Sequence, residues 1–210
     1  MNDLRPIALT SCAMKVFERC VLPHLDSLIG DFMDPLQFAY KAKRSVDDAI
    51  LHVLNNIYAH LEKPGSSIRL MFFDFSSAFN TIQPHLLCDK LMNYNVPTPT
   101  IMWVLDYLSM RPQYVRIGKS ITSNVVMTNT GAPQGTVLSP FLFSVYTADC
   151  KSSDDDCILD KYADDTVLTG MITSNKDQTY LQEIESSVDW CDNNYLELNV
   201  SKTKEMIIDF

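Results

Sequence analysis

The 210-residue chain has no apolar run approaching the roughly 20 residues that span a bilayer, so no membrane partner is expected. Its first residues, MNDLRPIALTSCAMK, lack the basic flank and long apolar stretch of a secretion leader. An intracellular protein, cytoplasmic or nuclear and not secreted, is therefore expected. The six cysteines form no CxxC pair, and the four histidines supply no second pair of close ligands. That excludes structural zinc and predicts reduced, mostly buried thiols. Internal repeats and low-complexity tracts are absent as well. Positive charge is scarce: 17 Lys and Arg stand against 26 Asp and Glu, a net charge of −9. This argues against a nucleic-acid partner unless local basic groups or bridging cations overcome the overall field. The deficit is uneven. Residues 1–70 carry eight charges of each sign, whereas residues 71–210 carry 9 basic and 18 acidic groups.

What remains is a globular composition, 46% hydrophobic and 20% charged, in a length that suits one generous domain or two small lobes. Helical spacing of apolar residues runs through TSCAMKVFERCVLPHLDSLI. A second helix is capped by Ser45, has Asp47 and Asp48 in its first turn, and aligns Val46, Ile50, Val53, Leu54, Ile57 and Leu61 in one stripe. IRLMFFDF (68–75) reads as a buried central strand. Helices are predicted from Pro84 and over 98–110, a hairpin turning near Gly118-Lys119, and an apolar helix with Ser139 as N-cap and Pro140 at its first position. A hairpin built on CILDKYA and TVLTG, a helix over about 176–194, and two short strands, YLELNV and KEMIIDF, complete the chain. The predicted class is α+β, an antiparallel sheet with helices segregated to one side.

Asp74 follows the run LMFF, where packing gives no reason for a charge, and Asp164 and Asp165 sit together at the tip of the later hairpin. Neighbouring carboxylates repel unless something positive stands between them. If the two strands are neighbours, their aspartates converge on one sheet edge, as hard oxygen donors for magnesium and for two-metal phosphoryl transfer. Taken singly, an aspartate at a strand end is more often a turn residue or a local cap.

Six blocks in order resemble the reverse transcriptases of non-LTR (LINE-type) retrotransposons. They are LRPIALTSCAMKVFERCVLPHL, DPLQFAYKAKRSVDDAI, MFFDFSSAFNTI, GAPQGTVLSPFLFSVYTAD, YADD and YLELNVSKTKEMI. The resemblance implies a right-hand polymerase palm, with fingers at 1–66 and 96–130 and palm at 67–95 and 131–210; since the blocks run only to the fourth catalytic motif, no thumb is expected. It implies two Mg²⁺ ions, with Mn²⁺ as a substitute, held by Asp74, Asp164 and the Phe75 carbonyl, with Asp165 beside the primer end. Phe79 would exclude a ribose 2′-hydroxyl, and Gln134 and Gly135 would meet the incoming dNTP. Arg5, Lys15 and Arg44 are candidate triphosphate counter-charges. Lys202, or its neighbour Lys204, would protonate the departing pyrophosphate. The implied partners are an RNA template, a DNA primer and a dNTP, with Tyr40, Lys41 and Lys43 as candidate template contacts.

Two positions depart from the family pattern: Asn80 stands where many relatives carry Asp, and Thr136 replaces a commoner Ser. The run Asp154-Asp155-Asp156 matches no block and reads as an exposed loop. Two functions of different class stay open: an RNA-directed DNA polymerase domain, and a non-catalytic remnant that binds nucleic acid or nothing. An RNA-templated RNA polymerase or a nucleotide cyclase could share such a palm, but Phe79 argues against ribonucleotide use.

Overall fold

The computed structural model describes residues 7–118, 121–174 and 176–209. In chain order the elements are α1 (Cys12–Ile29), α2 (Val46–Leu61), β1 (Ser66–Phe73), α3 (Ala78–Thr81), α4 (Pro84–Asn93) and α5 (Thr98–Leu108). They continue with β2 (Arg111–Gln113), β3 (Arg116–Ile117), β4 (Ile121–Thr122), β5 (Val126–Thr128), α6 (Ser139–Tyr146), β6 (Cys157–Tyr162), β7 (Asp165–Thr173), α7 (Gln178–Asn193) and β8 (Lys204–Asp209). The chain divides into two compact units, one of residues 1–31 and 79–146, the other of 32–78 and 147–210.

The second unit is built on a four-stranded antiparallel sheet ordered β6-β7-β1-β8. Side chains alternate across a strand, and here both faces are apolar. Ile68, Leu70 and Phe72 of β1 pack with Val167, Met171 and Ile208 against Val53, Ile57 and Leu61 of α2. Met71 and Phe73 pack with Cys157, Leu159, Leu168 and Ile172 against Tyr180, Ile184 and Trp190 in and beside α7. The sheet therefore has a helix on each face, and the expectation of helices on one side alone is corrected. The cause is that β1 carries apolar residues on both faces, Ile68, Leu70 and Phe72 on one and Met71 and Phe73 on the other, while its Arg69 is paired with Asp177 and Glu205. In α2 Ser45 is the N-cap as predicted, and a full capping box joins it to Asp48 and holds the Asp48 carboxyl below its ordinary range. The predicted stripe is buried only in part, since Val46, Ile50 and Leu54 are exposed.

Gly170 of β7 lies under the Tyr180 ring, and a Cβ there would come within 2.4 Å of it. The guanidinium of Arg69, opposite Gly170 in the register, covers the same ring at 5.6 Å. YLELNV does not form the predicted strand. Tyr195 takes a φ of 55°, and one bridge, Leu198 to Phe75, is all the pairing that segment makes among the described residues.

In the first unit α4 packs on α5 and α6, with Leu87, Leu91, Val104, Leu108, Leu142 and Tyr146 fully buried. Phe17 of α1 meets Trp103 of α5 edge to face at 6.0 Å. The β2–β5 and β3–β4 pairs form the predicted hairpin, with Gly118 at positive φ; Lys119 lies outside the described residues. The first helical residue of α6 is Ser139 itself, so the expected N-cap role falls elsewhere. All six cysteines are free, with Cys12 and Cys20 exposed and the other four buried, as the sequence predicted.

Candidate active site

The register of β1 and β7 brings the predicted carboxylates together. Phe73 pairs with Thr166, the last pair of the β1–β7 ladder, so Asp74 and Asp165 are the next residues along the two strands. Asp165 opens β7 and pairs with Tyr162 of β6, so the hairpin loop is just Ala163 and Asp164. Of these two only Ala163 takes a positive φ, 59°, which excludes a type I′ turn. The two aspartates are thus inequivalent: Asp164 is half-buried in the loop, and Asp165 is exposed in the strand.

Residues 197–199 lie antiparallel to 74–76. The Ser76 amide donates to the Glu197 carbonyl at 2.8 Å, and the Asn199 amide donates to the Asp74 carbonyl at 2.8 Å. In this pattern the N–H and C=O of Phe75 point away from Leu198, while the Phe75 ring packs on the α7-side core. The turn that follows keeps Lys202 exposed, its amide donating to the Asn199 carbonyl at 3.0 Å. Lys202 is thereby tied to Asp74 through one residue.

Residues 34–39 run beside the end of β6 and reach the aspartate loop. Phe38 N donates to Lys161 O at 2.8 Å, and Lys161 N to Leu36 O at 2.9 Å. The Lys161 ammonium, 3% exposed, pairs with Asp34 at 2.6 Å and donates to the carbonyls of Thr147 and Cys150. Gln37, 1% exposed, accepts from the amides of Ala163 at 2.9 Å and Ala39 at 3.0 Å, and donates to the Ala163 carbonyl at 3.1 Å. On the other face Asp160 meets His52 at 2.7 Å; burial pushes its carboxyl up, against the pull of His52. These buried polar groups escaped the reading of the sequence. The signal available was a Gln set among apolar residues in a block that matched the family.

Phe79 and the GAPQG loop meet in the first unit. The Ala132 amide donates to the Phe79 carbonyl at 2.8 Å and the Gly131 amide to that of Ile82 at 2.6 Å. The Phe79 ring stacks on Phe143 at 4.7 Å. Gly131 has a φ of 71°, and a Cβ there would lie 2.7 Å from the Asn80 backbone, so only glycine fits. The Gln134 carbonyl accepts from Ala8 N at 2.7 Å, and Gly135 approaches Ile7. Glu18 of α1, fully buried, accepts from the amides of Val137 at 2.5 Å and Leu138 at 3.3 Å and from the Tyr107 hydroxyl at 3.1 Å. It thus holds the two residues that lead into α6, while the Thr136 hydroxyl accepts from the Ser139 amide at 3.4 Å. Ser139 pairs its hydroxyl with that of Thr136, which also meets Tyr107.

Of the cationic candidates, Arg5 lies outside the described residues, and Lys15 is half-buried on α1. Arg44 is exposed and lies over the Phe38 ring at 5.4 Å. The Lys41 ammonium is turned back onto the Asp34 carbonyl at 2.6 Å, whereas Lys43 is exposed. The Tyr40 hydroxyl has its pKa raised by burial and then by the charges of Asp164, Tyr162 and Asp165, so the field of the aspartates reaches it.

Among the described residues, Asp74 and Asp164 have no side-chain hydrogen bond or ion pair, and no three His, Cys, Asp or Glu could hold a metal by themselves. Hard carboxylate oxygens in so open a set fit a cation that completes its shell with phosphate oxygens and water. No described helix is long and apolar enough to cross a membrane.

A family model described as reverse transcriptase (RNA-dependent DNA polymerase) matches residues 1–208. The probable RNA-directed DNA polymerase from transposon BS of Drosophila melanogaster is 28% identical over 96% of this chain and 23% of its own length. The polymerase from the mobile element jockey of the same organism is 25% identical over the same shares. A Pol polyprotein from the type-1 retrotransposable element R2 of Popillia japonica is 22% identical over 68% of this chain and 20% of its own. The chain therefore spans about a quarter of the length of the curated relatives it matches. In structure it resembles apo telomerase from Candida Tropicalis truncated from its C-terminal domain, with a TM-score of 0.63 and 16% identity, over 94% of this chain and 41% of that one. The α+β fold is shared with that enzyme.

Proposed function

Since the chain belongs to the reverse transcriptase (RNA-dependent DNA polymerase) family, we propose that it carries the polymerase centre of a non-LTR, LINE-type retrotransposon. The reaction would join deoxynucleotides to a primer 3′-hydroxyl along an RNA template. The observation that supports this reading is the β1–β7 register, which ends with Phe73 paired to Thr166, so that Asp74 and Asp165 are the next residues on the two strands and Asp164 lies in the adjoining loop. Two Mg²⁺ ions, or Mn²⁺, bound there would neutralise the triphosphate and lower the pKa of the attacking hydroxyl.

Asp74, Asp164 and the outward Phe75 carbonyl are the groups to hold those ions, and Asp165 adds charge beside the primer end. Phe79, whose ring is stacked on Phe143, would be the residue that excludes a 2′-hydroxyl. Gln134 and Gly135 lie on a loop pinned from both sides, suited to receive the nucleotide without moving. The exposed Lys202 ammonium, with Lys204 as the alternative, can give a proton to pyrophosphate as it leaves. Lys15 and Arg44, with Arg5, would offset triphosphate charge. Fingers at 1–66 and 96–130 would grip the template, and a palm at 67–95 and 131–210 would do the chemistry.

Primer extension on an RNA template, with dNTPs and Mg²⁺, tests this. Incorporation by the wild type should fall at least about a thousandfold in Asp164→Ala, the scale of losing a preorganised charge at the reacting phosphate. Equal incorporation by the two proteins refutes the assignment.

A further inference from the structure

The aspartate loop carries a conformational cost at a position the proposed chemistry does not explain. Ala163 holds a φ of 59°, a region that disfavours any residue with a Cβ by roughly 1–2 kcal/mol. One side chain takes both backbone groups of that residue. The Gln37 carboxamide accepts from Ala163 N and donates to Ala163 O, a pairing that suits an amide, which carries a donor and an acceptor side by side. Gln37 itself has no freedom to follow the loop. Its oxygen also accepts from Ala39 N, its flanking backbone is paired to Lys161 on both sides, and Asp34 is locked to the Lys161 ammonium three residues earlier.

We propose that Gln37 is a positioning residue for the aspartate loop, holding Ala163 at positive φ and thereby fixing the direction in which Asp164 leaves the hairpin. The loop has two residues, so a rotation at Ala163 is passed directly to Asp164, with no further linker to absorb it. Without the clamp, Ala163 relaxes toward negative φ, and the carboxylate no longer aligns with Asp74. This inference rests on Asp164 being a metal ligand.

Three measurements on the full chain decide it. Hydrogen exchange should find the Ala163 amide in the wild type protected, although it lies in a hairpin loop. Binding of Mn²⁺ alone, followed by electron paramagnetic resonance, should weaken about tenfold in Gln37→Met, the scale for removing a partner that orients a metal ligand. The metal-free Tm of that variant, taken alongside, shows whether it folds. Gln37→Asn, with its amide one methylene short, should act the same way and serves if Met is not tolerated. A freely exchanging Ala163 amide, or a folded Gln37 variant with wild-type Mn²⁺ affinity, overturns the clamp. If instead Asp164→Asn binds Mn²⁺ as well as the wild type, the metal-ligand reading fails, and the clamp loses its function even where Ala163 is protected.

Discussion

Glu18 shows how much one side chain can settle. The amides of Val137 and Leu138 precede α6 and have no partner within it, and a carboxylate more than a hundred residues earlier accepts from both. Tyr107 donates to the same carboxylate, and its own pKa is pushed up from about 10 to about 12, chiefly by burial, with the Glu18 charge adding and the Thr136 hydrogen bond opposing. In the unfolded chain Tyr107 ionises near 10. Its contribution to stability is therefore whole below pH 10 and is lost as pH climbs from 10 toward 12. Urea unfolding at pH 8 and pH 11 checks this. Tyr107→Phe should lose about 1 kcal/mol at pH 8, and it should lose less than the wild type between the two pH values. Parallel losses would show that the phenol does not titrate late. Such residues were illegible in the sequence for a physical reason. The apolar neighbours of Gln37 hint at burial, but what a buried Glu or Gln does is declared only by its partner, and the partners of Glu18 and Gln37 are 119 and 126 residues away. Asp74 was legible because a charge after LMFF contradicts its own neighbourhood.

At the scale of elements, local chemistry foretold most of the pieces. Pro84, the Ser45 cap and the apolar run of β1 place their helices and strand within a residue or two, while TVLTG stops three residues short of the end of β7. The misses came from what local pattern cannot weigh. YLELNV alternates like a strand, but Tyr195 at positive φ breaks it, and its backbone is spent bracing residues 74–76. Helices cover both faces of the sheet because β1 carries apolar side chains on both, which the run LMFF permits but does not require. The junction of α3 with the GAPQG loop gives an element-level test. Gly131→Ala should destabilise by roughly 1–2 kcal/mol from φ alone and by more from the clash with Asn80. Gly65→Ala, also at positive φ but with open space around it, should cost only the first part. Denaturant unfolding that finds the two variants equal would refute the close approach.

Over the whole molecule, the buried thiols report on each unit separately. Cys88 belongs to the unit of 1–31 and 79–146, and Cys150, Cys157 and Cys191 to the other. Burial pushes the thiols of Cys157 and Cys191 up to about 12 and raises that of Cys88, which keeps them unreactive as well as inaccessible. Brief alkylation of the native protein should mark Cys12 and Cys20 and spare the other four, with all six marked in denaturant, as read by peptide mass spectrometry. Native labelling of Cys157 or Cys191 would contradict the packing around β6 and α7. Compactness of this kind was not legible in the sequence, since each unit is assembled from two stretches of chain that no composition shift marks. The Gly170–Tyr180 contact acts at this scale too. Sliding β7 by one residue along β1 would bring Thr169 or Met171 under a ring with room for a hydrogen alone. A notch roughly 17 Å up the strand, five residues at 3.4 Å each, therefore keys the alignment of Asp74 with Asp165. The two carboxylates are kept in step by a part that touches neither.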